Sequence, residues 1–169
     1  MLFRLTVAAF AMAAAVAQAQ LATPDPDWKE AEAPAPPALQ LDKLIPIEIP
    51  GATLRYGVDP ASVSLGADGV VRYVVVARSS TGAVNAMYEG IRCNTAEVKV
   101  YARHNPDSGW SRNTSSDWGP LHDTRPFRHS LAIARTGACM GHGSNRSAEH
   151  IVRDLRSPAG NRFENESRR

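Results

Sequence analysis

Every familiar signature of a catalytic or metal-binding framework is missing from this chain of 169 residues. It has no Cys-x-x-Cys pair, no His-Glu-x-x-His helix and no Gly-x-Ser-x-Gly elbow. Gly141-His142-Gly143 stands alone, without the rest of a phosphate loop. The five histidines, His104, His122, His129, His142 and His150, show no zinc spacing, so neither cofactor nor metal is expected. Lysine is nearly absent, at Lys29, Lys43 and Lys99 only, and 19 basic against 17 acidic residues leave a charge of +2. So even a balance argues against a nucleic-acid binder, which concentrates basic charge on one face. No apolar run beyond the first residues approaches the ~20 needed to span a bilayer.

What is present begins with a secretory leader over residues 1–19. Arg4 supplies the basic start, Leu5 to Ala17 the apolar stretch, and Ala17-Gln18-Ala19 a small-x-small cleavage site. Cleavage after Ala19 gives a mature chain starting at Gln20 and predicts a periplasmic location. In that oxidising compartment the two cysteines, Cys93 and Cys139, read as one disulfide. The bridge closes 139 − 93 = 46 residues, for which loop-closure entropy gives roughly 4 kcal/mol. The alternative, a reactive cysteine, has no motif behind it.

Residues 20–40 read as a Pro/Ala-rich linker, extended or disordered, with Pro24, Pro26, Pro34, Pro36 and Pro37 among small and acidic residues. Trp28 is its lone aromatic; it either docks back on the domain, the simpler reading, or meets a partner. A single α+β domain is expected over 41–156 and a frayed tail over 157–169. Its centre is a hairpin: Val70 to Arg78, the turn Ser79-Ser80-Thr81-Gly82, and a second run ending at Cys93. Prolines confine Leu44 to Pro50 to an edge or to a loop along an edge. Short runs at Thr53–Tyr56 and Ser62–Leu65, alternation over Glu97–Arg103 and a start at Trp110 bring the antiparallel sheet to about five strands. In the alternating run Val98, Val100 and Ala102 share one face, and Glu97, Lys99, Tyr101 and Arg103 the other. Two C-terminal helices then cover one face. The first starts at His129, with Gly137 just past its end; the second carries the stripe Ala148, Ile151, Val152, Leu155, capped by Asn145 or Ser147.

Several of these segments occur together in a known family. Asp27-Trp28-Lys29-Glu30, Leu44-Ile45-Pro46, Leu54 to Asp59, Val71 to Val75, Asn85 to Cys93 and His129 to Arg135 resemble the cryptic neisserial protein-like family. Tyr88-Glu89-Gly90-Ile91-Arg92-Cys93 is the most specific part, and the resemblance runs from about Asp27 to Arg156. It implies a small exported protein of Gram-negative bacteria and brings no catalytic residue with it.

The candidate binding residues are Arg72, Tyr88, Glu89, Arg92, Tyr101, Arg103 and Trp110. On a strand, Tyr88, Gly90 and Arg92 share a face, with Glu89 and Ile91 opposite. Arginine's planar fork suits a carboxylate or phosphate, so these residues, joined by Arg72, Tyr73, Tyr101 and Arg103 if register allows, make an anion platform. Against that stands the structural reading, in which Arg72, Arg92 and Glu89 form cross-strand pairs and the tyrosines cover the sheet. Trp110 and Trp118 bracket a polar loop, with Arg112 and Arg125 nearby, as anchors or as a contact surface. The leading expectation is a non-enzymatic envelope module whose partner is an envelope protein or an acidic envelope polymer. The rival is a small periplasmic hydrolase built on Glu89, a histidine and an arginine, which requires a His and a carboxylate to converge in a pocket.

Overall fold

Val70–Arg78 (β4) and Val84–Arg92 (β5) pair antiparallel over their whole length, Val70 opposite Arg92 and Arg78 opposite Val84. The computed structural model describes residues 25–114, 117–121 and 127–157; the leader and its cleavage site, His122, Asp123, Arg125 and residues 158–169 lie outside them. Around this hairpin the sheet runs β1 (Ile45–Ile47), β2 (Arg55–Val58), β4, β5, β6 (Glu97–Asn105), β7 (Gly109–Arg112). Two-residue strands β3 (Ser64–Leu65) and β8 (Gly119–Pro120) attach to β4 and β6, giving eight strands, all pairs antiparallel. The fold is α+β. The path is longer than about five strands because β1, with Pro46, does pair, at the edge where a missing N–H costs no ladder bond.

Helices α1 (Arg128–Ile133) and α2 (Ala148–Arg156) lie on one face, where they bury Val71, Tyr73, Val75, Ile91 and Val98 under Ile133, Ile151 and Leu155. Ser147 caps α2 by accepting from the His150 N–H, and the predicted stripe is the side that packs inward. Between the helices, a π-helical turn over Ala134–Ala138 leads into a small hairpin of β9 (Cys139–Met140) and β10 (Gly143–Ser144). Cys139 is bonded there to Cys93, with Cα atoms 5.7 Å apart. Gly137 is needed for a reason other than a left-handed helix end. A β-carbon on it would sit 2.9 Å from the Leu155 nitrogen and 3.0 Å from the Ile151 carbonyl oxygen, so the glycine lets α2 approach.

The opposite face is also covered. Val74, Val76, Ala86, Tyr88 and Ala102 form a second core, against which Leu39, Leu44, Tyr101 and Trp110 pack. A strand buried on both faces loses its polar alternation, which is why every residue from Val70 to Ala77, Arg72 among them, is sealed. The chain that covers this face is the N-terminal segment, extended across the sheet. Trp28 does dock back on the domain.

One register change alters which side chains share a face. Tyr88 pairs with Ala102 but Glu89 with Val100, so Tyr101 is an extra, bulged residue in β6. The strict alternation expected over Glu97–Arg103 therefore fails beyond Tyr101. Ala102 joins Tyr88 on the arm-covered face, and Arg103 leaves it to hydrogen-bond the Met87 sulfur at 3.1 Å.

Candidate functional site

The expected site residues separate into two groups on opposite faces of β4 and β5. Tyr73 and Glu89 point to the helices; Arg72, Tyr88, Arg92, Tyr101 and Trp110 point to the arm. The register leaves Arg103 and Tyr73 outside the platform, and Glu89 is not a surface group at all.

On the helix face Glu89 is 0% exposed. Its Oε2 accepts from the Tyr73 hydroxyl at 3.0 Å and the Ser130 hydroxyl at 2.9 Å, and its Oε1 lies 2.9 Å from Nε2 of His129. An ionised carboxylate only accepts, so that His129 nitrogen then carries the hydrogen. The His129 ring is stacked on Tyr56, centroids 5.0 Å apart and planes 9° from parallel. Burial, with the neighbouring Glu89 carboxylate, pushes the Tyr73 hydroxyl well above its usual range. A histidine and a carboxylate do converge, as hydrolysis would require, but Ser130 already donates its hydroxyl hydrogen to Glu89 and His129 is buried at 3% exposure. All three groups are sealed from a substrate; Tyr73 of β4 and His129 and Ser130 of α1 together satisfy a buried carboxylate.

On the arm face, Trp28 is the first anchor. Its indole N–H donates to the Asp68 carbonyl at 2.8 Å, its ring centroid is 3.7 Å from Cζ of Arg92, and it meets Trp118 edge-on. Asp68 sits in the turn before β4 and holds Arg72 at 2.7 Å and the Ala31 N–H at 3.0 Å, while Arg72 donates to the Ala31 carbonyl at 3.2 Å. Glu30 is the second anchor: it takes Lys99 at 2.9 Å, the Tyr101 hydroxyl at 2.8 Å and the Trp118 N–H at 3.1 Å. Trp110, packed edge-on to His104, donates to the Pro37 carbonyl at 2.8 Å.

The strand arginines are thus committed within the chain. Arg72 pairs with Asp68 rather than Glu89, and Arg92 has Trp28 on its face and Glu97 at 3.7 Å. Burial would raise the Glu30 and Asp68 carboxyls, but their donors outweigh it and hold both below the usual carboxylate range. Burial and the bond to Glu30 push the Tyr101 hydroxyl up. The Tyr101 ring fills the space over Gly90, where a β-carbon would lie 2.7 Å from its Cε2.

Between the arm and the sheet a groove of about 330 Å³ remains open, near the lower end of small-ligand sites. Glu30 to Pro34 and Pro36 form one wall, and Tyr88, Lys99, Tyr101 and Arg112 to Thr114 the other. Arg112 is exposed at its rim. Among the described residues no cluster of His, Cys, Asp or Glu could hold a metal, and no helix is long and apolar enough to cross a membrane.

A sheet with helices on one face and a tryptophan-anchored arm on the other defines a small, disulfide-linked α+β domain. The CNP1-like family model matches residues 23–156, and the chain belongs to that family. The match begins before Trp28 and ends with α2, so it takes in both arm and helices. No curated protein and no solved structure matches the chain.

Proposed function

We propose that the chain is an exported, periplasmic binding module without catalysis, and that its ligand seat is the groove between the arm and β5–β6–β7. The observation that supports this is an arm fixed at Trp28, Glu30 and Pro37 that still leaves about 330 Å³ of tyrosine-walled space beside it. Export through the 1–19 leader agrees with the disulfide, which belongs to oxidising compartments. Of the two partner classes, an envelope protein is favoured over an acidic polymer. Arg72 and Arg92 are already paired or stacked, so a polyanion would find little spare charge on the sheet. The test is a photo-crosslinking residue in place of Thr114, on the groove wall, in cells exporting the protein. A reproducible adduct with one envelope protein is expected; a featureless background at Thr114 and at an exposed control site alike overturns the reading.

The convergence of Glu89, His129 and Ser130 favours a second reading, a small hydrolase of envelope substrates. It requires an opening that exposes a carboxylate now fully covered. Turnover of a peptidoglycan or ester substrate that disappears in a folded Ser130→Ala variant would establish it.

A further inference from the structure

The manner in which the arm is held says what kind of ligand this face reads. Ala33-Pro34-Ala35-Pro36-Pro37-Ala38 has three residues that lack an N–H, so it cannot be gripped as a β-strand is. It can be held only through its carbonyls and the sides of its rings. Glu30, Ala33, Pro36 and Leu39 are half-buried, while Ala31, Glu32, Pro34, Ala35 and Ala38 are exposed. That inward period of three is the repeat of a polyproline II helix, which turns once every three residues. Pro37 is half-buried in addition, at the carbonyl that Trp110 holds. Helical or strand periodicity would bury a different set.

The sheet meets this helix with aromatic chemistry. Tyr88 and Tyr101 stand together, centroids 5.6 Å apart, beside the Pro34 and Pro36 wall. Trp110 supplies the indole N–H that bonds the Pro37 carbonyl at 2.8 Å. Tyrosines flanking prolines, with a tryptophan N–H aimed at a proline carbonyl, form the general solution to binding a preformed extended helix, because little entropy is lost on docking. The bulge at Tyr101 creates this surface, since it puts Tyr101 and Ala102 on the same side, and Gly90 gives the Tyr101 ring room.

We propose that the Tyr88–Tyr101–Trp110 face is a polyproline II recognition surface for a proline-rich extended segment of a partner protein, occupied in its resting state by the chain's own Ala33–Leu39. The proposal rests on the binding-module reading and names its ligand class. The own arm is a tethered competitor. Its anchor at Trp28 lies outside the proline segment and is held by Asp68, Arg92 and Trp118, so loosening it frees the arm without altering the three aromatic residues. The open space beside Pro34 and Pro36 lets an incoming segment start before the arm has left.

The probe is a fluorescently labelled peptide with the sequence of residues 33–39, titrated by anisotropy against the oxidised mature chain. Trp28→Ala should bind it at least about tenfold more tightly, because the tethered competitor loses one of its anchors. Adding Trp110→Phe, which removes the N–H and keeps a ring, should reverse most of that gain. Circular dichroism and the intact disulfide confirm folding of each variant. Equal binding by Trp28→Ala and the parent, or no loss with Trp110→Phe, overturns the proposal. So does concentration-dependent dimerisation of Trp28→Ala that excludes the peptide, which would assign the face to a second copy's arm. If the Thr114 crosslink succeeds while the peptide fails, the binding module stands and only its ligand class falls.

Discussion

Arg92 carries Trp28 on its guanidinium, with 3.7 Å from Cζ to the ring centroid. The contact joins the β-sheet to a tryptophan 64 residues earlier (92 − 28) in the chain. A cation over an indole contributes roughly 0.5–2 kcal/mol, more as it is desolvated. Here Arg92 Nε has no hydrogen-bond partner among the described residues, so the ring, together with Glu97 at 3.7 Å, compensates the guanidinium's burial. Trp28→Ala should lower stability by about 1–3 kcal/mol, from this contact and half a buried indole. Limited proteolysis should then cut between residues 30 and 41, in chain the parent protects. An unchanged digestion pattern would show that the arm is held without Trp28.

Acid should release the arm before it unfolds the sheet. Glu30 and Asp68 both titrate below their ordinary range because Lys99, Tyr101 and Trp118 donate to one, and Arg72, Val70 and Ala31 to the other. A carboxyl with a depressed folded value contributes stability that is complete above its free value, near 4. That contribution fades as the pH falls through the lower, docked value. Tryptophan emission should therefore shift to the red below about pH 4, while far-UV dichroism stays native. Glu30→Gln should loosen the arm at neutral pH and leave a smaller acid step, from Asp68 alone. Emission that moves only together with global unfolding would dissociate these carboxyls from docking.

Gly90→Ala should act through Tyr101. The new carbon meets Tyr101 Cε2 at 2.7 Å and Val70 Cγ1 at 2.9 Å, so the ring that donates to Glu30 must move. Overpacking of this kind costs about 1–3 kcal/mol. In a Tyr101→Ala background the same change should be much less costly, and the difference between the two is the coupling energy. Equal costs in both backgrounds would place the strain at Val70 instead.

The extent to which all this is legible in the sequence follows a physical divide. Strand β4, the turn at Gly82, the α2 stripe and the Cys93–Cys139 bridge are set by local residue choice and by there being only two cysteines, and they can be read directly. The bulge cannot, because Lys99-Val100-Tyr101-Ala102 alternates perfectly on paper while its partner strand decides the register. Alternation consequently groups Arg103 with Tyr101, whereas the folded chain puts the two on opposite sides of the sheet. The arm does leave a signal. Tyr73, Val74, Val75, Val76 and Ala77 follow one another with no charged break, which says that both faces of β4 need a cover. Two short C-terminal helices can cover only one. The remaining candidate for the other is the segment bearing Trp28 and the prolines. Arg72 and Arg92 then read as anchors for that cover more readily than as an open anion site.

Glu89 gives the sharpest stability prediction. It sits at 0% exposure with Tyr73, His129 and Ser130 all directed at its two oxygens. Glu89→Ala would strand two buried hydroxyls and an imidazole, and breaking a buried charged network in this way costs about 3–5 kcal/mol. Glu89→Gln keeps the shape but turns an amide NH₂ toward a donor, so a smaller loss of about 1–3 kcal/mol is expected. Tyr73→Phe in the Glu89→Ala background should recover part of the loss, since one orphaned hydroxyl disappears with it. Urea unfolding reads all three, with a fall in midpoint and an unchanged slope. If Glu89→Ala stayed within about 1 kcal/mol of the parent, water would have to reach this cluster in solution. The sealed carboxylate would then be accessible, and the hydrolase reading would gain the opening it lacks.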